Sequence, residues 1–118
     1  MSKDVIYHNP RCSKSRATLD ILRRENVHVD VIDYLKTPPT AEELADICTR
    51  LDIEPAALIR TKESLFKELG LSLDDPRSRE AWCALLAEHP RLIERPIVIV
   101  NGKAVIGRPP ENVYTIIR

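Results

Sequence analysis

Val5-Ile6-Tyr7-His8-Asn9-Pro10-Arg11-Cys12-Ser13-Lys14-Ser15-Arg16-Ala17-Thr18-Leu19-Asp20-Ile21-Leu22 is the stretch that decides the fold of this 118-residue chain. Its first part, over residues 4–7, reads as a strand, because Val5, Ile6 and Tyr7 are β-branched or aromatic. Its last part carries Ala17/Ile21 and Leu19/Leu22 at helical spacing, and predicts a helix from Ser13 to about Glu25. Cys12 then stands where a strand hands over to a helix N-terminus. The first backbone N–H groups of a helix are free there and the helix dipole is positive, so an anion is stabilised. A thiolate is an anion. Arg11, Lys14 and Arg16 add positive charge nearby. A free thiol titrates near ~8.5, and helix starts with cationic neighbours lower this to about 3.5–7.5. The same features suit a small oxyanion. The stretch therefore points to a nucleophilic cysteine that meets an anionic substrate.

Outward from this point, Asn26 is a left-handed helix cap, and Val27, Val29 and Val31 alternate with His28 and Asp30 as a second strand. Strand, helix and strand in that order imply a parallel crossover. Lys36–Pro39 breaks the pattern. Thr40-Ala41-Glu42-Glu43 is a capping box, and Leu44, Ile47, Cys48 and Leu51 give the next helix its apolar stripe. Pro55 opens a short helix that carries Ala56 to Arg60. A further helix covers Ser64–Leu69 and stops at Gly70. Asp75-Pro76 reads as an N-cap with a first-turn proline, before a helix through Trp82, Leu85 and Leu86 that ends ahead of Pro90. Residues 40–89 thus form a helical insert. The sheet resumes at Ile97–Val100, turns at Asn101-Gly102 and returns over Ala104–Ile106. A last helix runs from about Pro110 to Arg118. The order is β-α-β, helical insert, β-β-α. It predicts an α/β fold with a four-stranded mixed sheet, and the thioredoxin fold has this order. The expected organisation is one thioredoxin-like domain over residues 1–118, with the insert inside it.

The totals exclude several classes. Lys plus Arg and Asp plus Glu are both 18, so the formal net charge is zero. No global field draws the chain to nucleic acid or to a membrane. With one Trp, one Phe and three Tyr, there is little material for a base-stacking platform. No apolar run is long enough to span a bilayer, and no signal-peptide pattern opens the chain. Cys12, Cys48 and Cys83 are an odd number at irregular spacing, unlike a secreted disulfide framework. A reducing, cytoplasmic setting is expected. No two of the histidines and cysteines have zinc-like spacing, so no metal and no tightly bound cofactor is expected.

Cys12-Ser13-Lys14-Ser15 is C-x-x-S where dithiol redox enzymes of this fold have C-x-x-C. Ser15 can donate a hydrogen bond to a thiolate but cannot close a disulfide, so a second thiol must come from outside. Cys48 and Cys83 lie in helical apolar patterns and read as buried packing, with a resolving role as the alternative. His8, four residues before Cys12, could hold the thiolate by charge or orient a neighbour. His28 and His89 read as solvated. Arg95 precedes Pro96 just before the third strand, a place where this fold commonly has a cis proline, and would project toward Cys12. Arg108 follows the fourth strand directly, beside Pro109-Pro110. Arg60 ends the short helix of the insert, and spacing alone says little about it.

The run Ile6-Tyr7-His8-Asn9-Pro10-Arg11-Cys12-Ser13-Lys14-Ser15-Arg16 resembles the signature of the glutaredoxin- and glutathione-linked arsenate reductase (ArsC) family. Asp33-Tyr34-Leu35 before Pro38-Pro39, Leu58-Ile59-Arg60, Glu68-Leu69-Gly70-Leu71, His89-Pro90, Arg95-Pro96-Ile97-Val98 and Gly107-Arg108-Pro109 extend the resemblance in register over essentially the whole chain. Within the family it is most similar to a housekeeping-type subgroup. Basic Arg11 and Lys14 depart from the best-known members. The resemblance implies that Cys12 is the nucleophile, that Arg60, Arg95 and Arg108 hold the oxyanion, and that His8 supports the thiolate. It implies reduction of arsenate to arsenite through a cysteine–arsenate adduct, with glutathione as co-substrate and glutaredoxin as partner. Two alternatives use the same fold. One is an Spx-type redox regulator that binds RNA polymerase, although such regulators carry C-x-x-C. The other is a glutathione-linked thiol oxidoreductase with another substrate, which would not need all three arginines. A phosphatase-like reductase needs C-x5-R, and Thr18 stands where that arginine would be.

Overall fold

The structure, a computed structural model, describes residues 4–117. The chain forms two compact units. One takes in the described residues up to Thr37 and from Arg95 onward, and the other is Pro38–Glu94.

The first unit holds the sheet. Strand β1 is Val5–His8, followed by helix α1, Ser13–Arg24, and strand β2, Asp30–Asp33. Strand β3 is Ile97–Val100 and β4 is Lys103–Ile106. The strand order is β2-β1-β3-β4. β1 runs parallel to β2 with Val5 opposite Asp30, and antiparallel to β3 with Ile6 opposite Val98. β3 and β4 are antiparallel, with Val98 opposite Val105. This mixed sheet with its helices is the thioredoxin-like fold. Both residues of the Asn101-Gly102 turn have positive φ, 52° and 76°, as a two-residue hairpin requires. Ile6, Val98 and Val100 pack with Leu19, Ile21 and Leu22 of α1 and with Val113 and Ile116 near the C-terminus. Burying this aliphatic cluster holds α1 against the sheet. It thereby fixes where α1 begins, just after its N-cap Cys12.

Two expectations shift here. The second strand was expected at Val27–Val31 but is Asp30–Asp33. The reason lies at the end of α1, where Asn26 takes φ 58° and the Val27 N–H donates to the Leu22 carbonyl at 2.8 Å. That left-handed exit uses up residues 26–29 before pairing with β1 can start. Val27 and Val29 still pack on the core, while Val31 is exposed. The last helix starts as a 3-10 turn, Pro110–Val113, and becomes helix α5 only over Tyr114–Ile117. Arg118, its expected end, lies outside the described residues.

The second unit is helical. Helix α2, Ala41–Leu51, opens on the expected capping box, in which the Glu43 N–H donates to Thr40 Oγ1 and the Thr40 N–H to Glu43 Oε1. A 3-10 turn, Pro55–Leu58, and a short helix α3, Ser64–Glu68, follow. Helix α4 is Arg79–Glu88 and a 3-10 turn covers Pro90–Leu92. The N-cap of α4 is Ser78, whose Oγ accepts from the Ala81 N–H at 3.1 Å, and not Asp75. Asp75 instead closes its own turn, its carboxylate accepting from the Ser72 N–H. α2 and α4 pack on each other and bury Leu44, Ile47, Cys48, Trp82, Cys83 and Leu86. An antiparallel bridge joins Ile59 to Ile93, flanked by hydrogen bonds from the Arg60 N–H to the Leu92 carbonyl and from the Glu94 N–H to the Leu58 carbonyl, both 2.7 Å.

Candidate active site

Cys12 is the N-cap of α1, half-buried, with extended backbone at φ −96° and ψ 123°. The loop before it is closed by short hydrogen bonds. The Cys12 N–H donates to the Asn9 carbonyl and the Arg11 N–H to Asn9 Oδ1, each at 3.0 Å. The Asn9 N–H donates to Ser15 Oγ at 3.0 Å, and Arg16 Nη1 reaches back to the Pro10 carbonyl at 2.9 Å. A helix N-cap leaves backbone donors free, and here they serve the sulfur.

The electrostatics follow from that geometry. Burial alone would push the Cys12 thiol up. It is outweighed by the N–H of Ser15, the Arg95 charge, the N–H of Lys14 and the Arg108 guanidinium, so the thiol sits below its ordinary value. Arg108 Nη1 lies 3.6 Å from Cys12 Sγ and also donates to the Arg95 carbonyl at 3.3 Å. The charges that act on Cys12 are therefore those of Arg95 and Arg108, at the sheet ends. Arg11, Lys14 and Arg16, its neighbours in sequence, have exposed side chains.

His8 ends β1 and is buried. Its Nδ1 shares a 2.6 Å hydrogen bond with Ser15 Oγ. Burial lowers its pKa, Asp33 opposes this, and Arg23 and Arg16 add to the lowering. His8 is thus neutral at neutral pH. Ser15 directs its backbone N–H, not its hydroxyl, to the sulfur.

Three residues to which the sequence reading gave no part in the site, Asn112, Thr18 and Gly107, hold the backbone around Arg108. Asn112 Nδ2 donates to the Ile106 and Arg108 carbonyls, both at 3.2 Å. Thr18 Oγ1 lies 2.8 Å from the Lys14 carbonyl and 3.2 Å from that of Gly107. The Gly107 N–H donates to the Pro96 carbonyl at 2.9 Å, and both Arg95–Pro96 and Arg108–Pro109 are cis. A Cβ on Gly107 would stand 2.5 Å from Thr18 Oγ1 and 2.9 Å from Pro96 Cγ. The only signal for this in the sequence is a glycine between a strand and Arg-Pro. Gly107→Ala is expected to destabilise the fold by about 1–3 kcal/mol, as overpacking does. It should also displace Arg108. Denaturant unfolding and the pH dependence of Cys12 alkylation measured together check this, and a variant with wild-type stability and an unmoved alkylation midpoint would contradict the close packing.

Arg60, in the second unit, follows the Ile59–Ile93 bridge. Its Nη1 pairs with Glu63 Oε2 and donates to the Arg91 carbonyl, both at 3.3 Å. Cys48 and Cys83 are fully buried across α2 and α4 and hydrogen-bond to each other. Burial pushes the Cys48 thiol up to about 11, helped by Cys83, and burial raises Cys83 as well. Among the described residues no group of three or more His, Cys, Asp or Glu could hold a metal ion, and no helix is long and apolar enough to cross a membrane.

A thioredoxin-like sheet, a first helix opening on one cysteine as C-x-x-S, and an arginine on its sulfur define a single-thiol protein of the thioredoxin class. The ArsC family model matches residues 7–116, and the chain belongs to the ArsC family. It is 47% identical to an arsenate reductase of Neisseria meningitidis serogroup A, over 99% of this chain and 100% of that one. It is 50% identical to the Escherichia coli protein YfgD, over 99% of both. Among solved structures, an arsenate reductase from Vibrio cholerae superposes with a TM-score of 0.90 at 51% identity, over 97% of each chain.

Proposed function

We propose that this enzyme reduces arsenate to arsenite, with Cys12 as nucleophile and Arg60, Arg95 and Arg108 as the groups that hold the oxyanion. The observation that carries the reading is the lowered Cys12 thiol at the head of α1 with Arg108 Nη1 3.6 Å from its sulfur, in a chain of the ArsC family. The relatives named arsenate reductase support the choice of oxyanion.

The Cys12 thiolate attacks arsenic, forming an S–As(V) bond, and one arsenate oxygen leaves as water after protonation. Developing charge on the remaining oxygens is offset by guanidinium groups, which are strong, planar donors to such anions. Glutathione then adds to arsenic and a second oxygen leaves as water. A glutaredoxin thiol supplies the last sulfur. It attacks the glutathione sulfur to form a glutathione–glutaredoxin disulfide, and the electron pair of the broken S–As bond stays on arsenic, which becomes As(III); water then displaces the Cys12 sulfur from arsenic, restoring the thiol and releasing arsenite. Ser15 in place of a second cysteine agrees with resolving thiols that come from partners. His8, neutral and bonded to Ser15, contributes by orienting the loop ahead of Cys12 rather than by charge.

The test is arsenite release by purified protein supplied with arsenate, glutathione, glutaredoxin and a system that regenerates both. Turnover should need all three. No arsenite above the glutathione-only background would overturn the proposal.

A further inference from the structure

Arg60 has a feature that its role as an oxyanion donor does not itself require. Its guanidinium is held by one nitrogen only. Nη1 meets both Glu63 Oε2 and the Arg91 carbonyl, each at 3.3 Å. Its other hydrogen-bond donors, on Nε and Nη2, have no protein acceptor among the described residues. Those two nitrogens form the side-on fork that binds two oxygens of a planar or tetrahedral anion.

The anchor itself is built from the backbone. Arg60 is pinned by its N–H to the Leu92 carbonyl at 2.7 Å, and Glu63 by its N–H to the Arg60 carbonyl at 3.1 Å. Arg91 precedes Leu92, on the other side of the bridge. Its Nη2 donates to Glu63 Oε1 at 2.6 Å and lies 3.4 Å from Ser64 Oγ. Glu63 is the least exposed of the three, at 16% against 23% for Arg60 and 53% for Arg91. One carboxylate oxygen thus takes Arg91 and the other takes Arg60. The shorter bond goes to Arg91, and the longer one joins the carboxylate to Arg60.

We propose that Glu63 is a positioning residue that holds Arg60 by one edge and leaves its Nε–Nη2 edge to the oxyanion. The proposal rests on the reading of Arg60 as an oxyanion donor. Without Glu63, a long and flexible side chain must be ordered by the substrate itself, and that entropy is lost from binding. Glu63 touches no reacting atom in this account and acts through Arg60.

The experiment is steady-state kinetics of the full chain with glutathione and glutaredoxin, for wild type, Glu63→Ala, Glu63→Gln, Arg60→Ala and the Arg60→Ala/Glu63→Ala double variant. Glu63→Ala is expected to raise KM for arsenate roughly tenfold, the size of one charge-assisted hydrogen bond, with KM for glutathione unchanged. Glu63→Gln keeps an acceptor for Nη1 and should recover part of the loss. The double variant should be no worse than Arg60→Ala alone, since a residue that acts through another has no effect once that other is gone. Additive losses, or equal changes in both KM values, would overturn the proposal. So would an unchanged arsenate KM in both Glu63 variants while Arg60→Ala raises it. An unchanged arsenate KM in Arg60→Ala would overturn the reading of Arg60 itself, and this inference with it. If Glu63→Ala does not fold, the comparison of Glu63→Gln with Arg60→Ala/Glu63→Gln decides in the same way.

Discussion

Cys12→Ser is expected to lose arsenate reduction by more than about 10³-fold, since it removes the proposed nucleophile. A serine hydroxyl at the same helix start has the same N–H donors and the same Arg108, but it stays protonated and cannot form the sulfur–arsenic bond. The fold should be untouched, because the Cys12 side chain is half-buried and lies outside the aliphatic core. Arsenite release followed under saturating glutathione and glutaredoxin checks this. The Cys48→Ser/Cys83→Ser double variant is the matched control and should keep its turnover. Those thiols are fully buried and raised in pKa, and in the proposed mechanism the resolving thiols come from outside. Turnover in Cys12→Ser, or its loss in a folded double variant, would sink the mechanism.

Arg108→Ala should cost about 10²–10³ in kcat, the usual loss for one oxyanion donor. A second effect works on the thiol. Arg108 stabilises the charged form of Cys12 from 3.6 Å, so its removal must raise the thiol pKa. The alkaline shift has a sign that can be read. Activity should rise with pH as Cys12 deprotonates, and in Arg108→Ala that rise should move to higher pH. Arg108→Lys should return most of the pH profile but only part of kcat, since it restores charge without the planar fork. A pH profile that does not move would mean that Arg108 is not the partner of the thiolate.

Much of the fold was legible because it is written in local pattern. The apolar strand before Cys12, the helical spacing after it, the Thr40–Glu43 box and the Asn101-Gly102 turn are short-range signals, and each forms as expected. The misplacements are also local in origin. Val27, Val29 and Val31 alternate as a strand should, yet the left-handed exit at Asn26 consumes the first of them. Asp75-Pro76 carries a cap's composition, but Ser78 stands nearer the apolar run and takes the role.

The site divides differently. Cys12 could be found from its place between strand and helix. Its partners could not be weighed from sequence, because charge acts through space. Arg11, Lys14 and Arg16 are adjacent along the chain but exposed, whereas Arg95 and Arg108 act on the sulfur from about ninety residues away. The Ser15–His8 pair and the Asn112 clamp on Arg108 have no periodicity or composition to announce them. Gly107 shows its meaning only when Thr18 and Pro96 are seen 2.5–2.9 Å from where a Cβ would be.

The central claim is that Cys12 is held ready as a thiolate by the start of α1 and by Arg95 and Arg108. The direct measurement is the pH dependence of Cys12 alkylation, or of thiolate absorbance, in the Cys48→Ser/Cys83→Ser background. The account predicts a midpoint below the ~8.5 of a free cysteine, and a higher one in Arg108→Ala. A midpoint at or above the free-cysteine value in the parent protein would contradict it.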